Sequence, residues 1–89
     1  MAIEWGPKGI RSNAIAPGLI KTDFAEALWK NPKLAEATIN ATPLRRLGDP
    51  DDIAGIAVFL ASKAAAFVNG QTIVADGGVT VADRLSGAH

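Results

Sequence analysis

The sequence predicts an α/β fold built on two parallel strands with crossover helices between them. Three observations carry that reading. A strand-like segment, Ile10–Ala16, is bounded by Gly9 on one side and Pro17-Gly18 on the other. A second run, Gln71–Ala75, lies between the Asn69-Gly70 turn and Asp76-Gly77-Gly78. The long stretch between them has helical spacing and helix caps, and strands joined through such a crossover are most simply parallel.

The elements follow in order. Met1–Trp5 is too short to nucleate a helix alone and could be the end of one. Gly6-Pro7-Lys8-Gly9 makes a turn. In the first strand, Ile10–Ala16, Arg11 is the single charge, so the strand could lie inside a sheet. Asp23–Lys30 reads as a short helix with Thr22 as N-cap and Asp23 and Glu26 at its positive end. Asn31 caps a second helix with Pro32 at its first position, running towards Ile39. Thr42–Gly48 connects it to the clearest helix, capped by Asp49, opened by Pro50 and continuing to about Ser62. Ile53, Ile56, Ala57, Leu60 and Ala64 form that helix's core face, while Val58 and Phe59 lie off it, so it expects cover on more than one side. Residues Val79–His89 read as a tail without a firm signal. All 89 residues form one partial domain rather than two.

Composition narrows the function classes. Nine Lys and Arg offset nine Asp and Glu, which argues against nucleic-acid or anionic-membrane partners held by charge. Glu4, Trp5 and Gly6 interrupt any apolar leader, no apolar run approaches a span, and there is no Cys, so a cytoplasmic location is expected. For a chain this short, burial and ordering entropy nearly cancel. A lone monomer therefore has little margin, and a homo-oligomer is expected.

An ordered set of short motifs carries a resemblance. Asn13-Ala14-Ile15-Ala16-Pro17-Gly18 is followed by Thr22, then by Pro43-Leu44-Arg45-Arg46-Leu47-Gly48 and Asp52-Ile53-Ala54. Phe59-Leu60-Ala61-Ser62, Gly70-Gln71 and Asp76-Gly77-Gly78 complete it. From Met1 to about Gly78 the chain resembles the C-terminal third of a short-chain dehydrogenase/reductase of the 3-oxoacyl-carrier-protein reductase type. The resemblance implies a C-terminal fragment of a Rossmann-type doubly wound fold and a family cofactor, NAD or NADP. It places the Pro17-Gly18 loop beside the nicotinamide, the backbone of Ile20 at its carboxamide, and Thr22 at the cofactor's amide or phosphate. In this chain those positions are expected to be vestigial. The family's glycine-rich dinucleotide turn has no match here, and its Tyr-x-x-x-Lys site cannot be met by a sequence without Tyr.

The expectation is therefore a truncated, non-catalytic segment with no cofactor of its own, stabilised by self-association. The alternatives are an NAD(P)-dependent oxidoreductase of carbonyl or alcohol substrates when completed by a separate N-terminal part, or an interaction module for full-length relatives. The remaining candidates have plainer readings. By resemblance Phe24, Leu28, Trp29 and Ile39 could line an apolar pocket in the family's substrate flap, but without an opposing wall ordinary helix packing is the preferred reading. Arg45 and Arg46 could hold phosphate, yet Asp49, Asp51 and Asp52 stand close in sequence and suggest structural pairs. Those carboxylates are first-turn helix acids rather than a metal cluster, and His89 is read as inert.

Overall fold

Strand β1 (Ala14–Pro17) pairs in parallel with β2 (Thr72–Ala75), in the register Ala14 to Thr72, Ile15 to Ile73, Ala16 to Val74 and Pro17 to Ala75. The computed structural model describes residues 1–85. The amide of Ala14 donates to the Gln71 carbonyl (2.8 Å) and that of Gly18 to the Ala75 carbonyl (3.0 Å). Backbone groups alternate sides along a strand, so Pro17, midway in that alternation, turns its missing N–H away from β2 and breaks no rung.

Among the described residues five α-helices accompany this ribbon: α1 (Ala2–Trp5), α2 (Glu26–Trp29), α3 (Pro32–Ala41), α4 (Pro50–Ala61) and α5 (Val79–Leu85). Short 3-10 turns follow α1 at Gly6–Lys8 and α4 at Lys63–Ala65. The Asn31 side chain caps α3 by accepting from the amides of Lys33 (3.0 Å) and Leu34 (3.3 Å). At α4 the Asp52 carboxylate reaches back to the Asp49 amide at 2.8 Å, the acidic half of a capping box. Helix α4 packs against β1. Ile53, Ile56 and Leu60 are half-buried on its inner face, whereas Ala57 and Ala64, assigned to the same face, are exposed.

Three expectations need correction. The first strand covers Ala14–Pro17, not Ile10–Ala16. Side chains replace the ladder before Ala14: Asn69 Oδ1 accepts from the Ser12 amide (3.0 Å) and Asn13 Oδ1 from the Gln71 amide (3.0 Å). An Asn side chain that mimics a backbone partner ends a ladder without leaving the donor unpaired. The helix expected over Asp23–Lys30 is regular only over Glu26–Trp29. Residues Thr22–Ala25 form a turn in which both the carbonyl (3.1 Å) and the hydroxyl (3.2 Å) of Thr22 accept from the Ala25 amide. Finally, the stretch read as a tail opens as α5. Its signal is Asp76, whose carboxylate accepts from the Gly78 amide (2.9 Å), the Thr80 amide (3.0 Å) and the Thr80 hydroxyl (2.6 Å). His89 lies outside the described residues.

Little is buried. Among the described residues Leu47 and Ala65 are the buried apolar side chains and Thr42 the buried polar one. The chain exposes 6564 Å², against about 4,900 Å² for a compact monomer of its mass. Its radius of gyration is 15.8 Å, where about 12 Å is usual for this length. Ile3, Phe24, Val58, Phe67 and Val74 stand open to solvent.

Candidate functional site

The C-terminal ends of parallel strands are where an α/β sheet leaves room for a ligand, and here the loop after each strand carries glycine, Gly18 after β1 and Gly77-Gly78 after β2. A Cβ on Gly18 would sit 3.0 Å from Cα of Asp76, so the loops after β1 and β2 touch backbone to backbone. Gly77 and Gly78 have φ of +66° and +100°, and Cβ atoms there would meet Thr42 (2.6 Å) and Pro43 (3.0 Å). The Leu44 amide donates to the Gly77 carbonyl at 3.1 Å. The Thr42–Gly48 connector is thereby clasped over the Asp76 loop.

Between these loops, α3 and α4 lies a cleft of about 250 Å³. Gly18, Ile20, Leu47, Ile56 and Val79 give it an apolar wall, and Thr38, Arg46, Asp52 and Asp76 supply its polar groups. Of the four positions singled out from sequence, Gly18 and Ile20 line this cleft, whereas Pro17 and Thr22 lie outside its lining. Ile20 forms a parallel bridge to Gly48, carried by bonds from the Gly48 amide to Leu19 O (2.9 Å) and from the Lys21 amide to Gly48 O (2.8 Å). In that pattern the N–H and C=O of Ile20 itself point away from Gly48. Its carbonyl accepts from the Thr22 amide at 2.8 Å. The Thr22 hydroxyl accepts from Ala25 through its oxygen, which leaves the O–H able to donate.

One contact had no signal in the sequence. The Trp29 indole donates to the Thr22 carbonyl at 2.7 Å, closing α2 onto the loop after β1. Lys30, paired with Glu26, stands 5.5 Å over the same indole. Phe24, Leu28, Trp29 and Ile39, for which helix packing is the preferred reading over a pocket, do not assemble one. Phe24 and Leu28 are exposed, and none of the four lines the cleft.

The charged candidates resolve in favour of structure. Arg46 grips Asp52 through two bonds, Nη1 to Oδ2 at 2.8 Å and Nη2 to Oδ1 at 3.1 Å. Its Nη1 also donates to the Leu47 carbonyl at 3.0 Å. Hydrogen bonds from the Arg46 guanidinium and then from the Asp49 amide hold the Asp52 carboxyl down at about 2. Arg45 sits at φ +56° and donates to the Asn40 carbonyl, closing the turn after α3. Bonds from the Thr80 hydroxyl, then from the Thr80 and Gly78 amides, lower the Asp76 carboxyl. Asp76 is thus a helix-capping acceptor and not a proton donor near neutral pH. No group of three or more His, Cys, Asp or Glu is placed to hold a metal among the described residues. Nor is any helix there long and apolar enough to cross a membrane.

Comparison with known proteins agrees with this geometry. The profile of the family described as Enoyl-(Acyl carrier protein) reductase matches residues 1–80. Dehydrogenase/reductase SDR family member 4 of Homo sapiens is 46% identical over 78 residues, spanning 88% of this chain and 28% of that protein. Galactitol 2-dehydrogenase (L-tagatose-forming) of Cereibacter sphaeroides is 43% identical over 81 residues, spanning 91% of this chain and 32% of that one. Among solved structures, a gluconate 5-dehydrogenase from Burkholderia cenocepacia, in complex with NADP and tartrate, superposes with a TM-score of 0.86 at 41% identity. That match covers 91% of this chain and 32% of the other. The chain therefore spans about a third of the length of the relatives it matches.

Proposed function

The chain belongs to the short-chain dehydrogenase/reductase family, and on that premise we propose that it supplies one wall of an NAD(P)-dependent oxidoreductase site and does not turn over by itself. The observation that carries this is the loop after β1. Gly18 brings backbone against backbone at the strand ends, Ile20 turns its amide away from the Gly48 bridge, and Thr22 keeps a hydroxyl proton to donate. A close glycine approach with an amide and a hydroxyl donor suits a carboxamide or phosphate oxygen, so these residues fit the nicotinamide end of such a cofactor. Pro17 stiffens the exit from the strand. When bound, NAD or NADP supplies or accepts the hydride.

This wall is insufficient alone for a chemical reason. Reduction of a carbonyl needs a proton delivered to the oxygen as hydride arrives at carbon. The family draws that proton from Tyr, and the 89-residue sequence contains none. The polar groups nearest the cleft are committed elsewhere, Arg46 to Asp52 and Asp76 to α5. Self-association is the companion proposal, supported by the apolar side chains left open on α1, α4 and β2.

Calorimetric titration with NADH and with NADPH tests the reading. The expected outcome for the purified chain is no saturable micromolar binding and no change in cofactor absorbance with carbonyl or alcohol substrates. Turnover that co-elutes with the chain and vanishes in Thr22→Ala overturns it. Light scattering on the eluted peak should give at least a dimer, and a monodisperse folded monomer removes the self-association half.

A further inference from the structure

We propose that Asn69 is a modification site, where the side-chain carboxamide closes on the Gly70 nitrogen to a succinimide and reopens as Asp or isoAsp, at a rate set by a clasp that ties both groups to Ser12 and Ala2. Asn69 and Gly70 are exposed, and Gly70 has φ of +74°. Asn31 precedes Pro32, which has no N–H, and Asn13 and Asn40 precede Ala, whose Cβ crowds the approach of its nitrogen to the side chain. Asn69 alone precedes Gly, which has no Cβ to shield the nitrogen. Asn69 also lines a depression together with Arg11 and Lys63. Positive charge there favours the anions through which the reaction passes.

The chemistry needs water and no other reagent. Base removes the Gly70 amide proton, and the nitrogen attacks Cγ of Asn69. A C–N bond forms, the Cγ–Nδ2 bond breaks, and Nδ2 leaves as ammonia. Water then adds to either carbonyl of the ring. Opening at Cγ gives an ordinary Asp at position 69. Opening at the backbone carbon gives isoAsp, in which the main chain runs through Cβ and Cγ.

In the folded chain both reacting groups are held. The Gly70 amide donates to the Ser12 carbonyl at 2.9 Å. Asn69 Oδ1 accepts from the Ser12 amide at 3.0 Å, and Nδ2 donates to the Ala2 carbonyl at 3.2 Å. A Cβ on Gly6 would sit 3.3 Å from the same Nδ2, so the carboxamide has little room to turn. Cyclisation needs these three bonds open together, which is a local opening and not loss of the whole fold. Either product lacks the Nδ2 donor and sets a carboxylate against the Ala2 carbonyl. IsoAsp also lengthens the main chain ahead of Gly70 and draws its amide off Ser12. The clasp then does not re-form, and the N-terminal end of the ribbon stays loose.

The test incubates the whole 89-residue chain in mildly alkaline buffer beside a synthetic peptide of residues 66–73, with peptide mapping to locate each acid formed. Conversion is expected at Asn69 ahead of Asn13 and Asn40. It should run about a hundredfold slower than in the peptide, the factor that three net hydrogen bonds provide. Amide exchange at Gly70 measures the opening independently, and conversion should be slowed by the same factor as that exchange. Conversion at the peptide's rate overturns the clasp. Asn69 left intact while Gly70 exchange reports an opening clasp overturns the site, as does faster conversion at Asn13 or Asn40. The isoAsp form, separated by ion exchange, should exchange faster at Ser12 and Gly70 than the parent. Asn69→Asp should fall between them, because its carboxylate still accepts from the Ser12 amide. Parent-like exchange in the isoAsp form overturns the loosening of the ribbon.

Discussion

The two ends of the same short ribbon use polar residues in opposite ways. At the N-terminal end every prominent polar side chain is tied to backbone. Arg11 Nη1 donates to the Ala65 carbonyl at 2.8 Å, just beyond the C-terminus of α4. Asn13 bridges Val68 and Gln71, and Asn69 bridges Ser12 and Ala2. At the C-terminal end the loops are kept close by glycines instead, the Ile20 amide points away from Gly48, and the Thr22 hydroxyl keeps a proton it can donate. An Arg or Asn beside a strand is thus no pointer to function when helix-end carbonyls are within reach. A glycine pair at the opposite end is the better pointer, because it makes room instead of filling it.

The contrast breaks first at Arg11. Arg11→Ala should cost about 2–3 kcal/mol, the worth of a charged hydrogen bond to part-buried carbonyls, and Asn13→Ala about 1–2 kcal/mol. Urea denaturation of the whole chain measures both, and an Arg11→Ala variant as stable as the parent would show that the N-terminal end is not the anchor. Next comes Gly18→Ala, whose Cβ must push Asp76 back from 3.0 Å. Overpacking of this kind costs about 1–2 kcal/mol, and faster amide exchange at Gly18 should accompany it, reporting that the rung to Ala75 has loosened. Thr22→Ala is expected to cost under about 1 kcal/mol, as for a partly exposed cap. Its effect should be confined to faster exchange at Ala25. Equal loss at Arg11 and Thr22 would erase the distinction between anchor and site.

Acid should have the smallest effect. The Asp52 carboxyl is depressed from 3.8 to about 2 by Arg46, and Asp76 is lowered by Thr80. A group with a depressed folded-state value stabilises the fold above its unfolded value and loses that contribution as pH falls through the folded one. The start of α4 should therefore loosen as pH falls from near 4 to near 2, and the start of α5 as pH falls below the usual carboxylate range, both read by circular dichroism. Asp52→Asn should flatten the α4 part of that response. Asp52 is exposed and Asp76 is half-buried at the surface, so the change is a local fraying and not global unfolding.

Much of this architecture was legible residue by residue. The Asn31-Pro32 and Asp49-Pro50 starts, the apolar period of α4, and the turn residues before and after β2 are local signals, and local chemistry is what a sequence displays directly. The limits of β1 were not legible, because Ile10–Ala16 has a strand's composition throughout. Only the arrival of Asn69, far along the chain, decides that Ser12 takes a side-chain partner instead of a rung. The ordered motifs marked the Pro17-Gly18 loop and Thr22, whereas the Trp29 bond to Thr22 depends on how α2 folds back and has no periodic signature.

Sequence by itself determined the parallel strand–helix–strand order, the capped helices and the family, since each rests on spacing within a few residues or on the order of motifs. Tertiary structure alone decided which polar groups are free. Arg46 could have held a phosphate until the turn at Arg45–Gly48 brought it into a two-bond pair with Asp52. Availability of a donor or acceptor is a property of what else lies within about 3 Å of it, and in a folded chain those neighbours come mostly from elsewhere in the sequence.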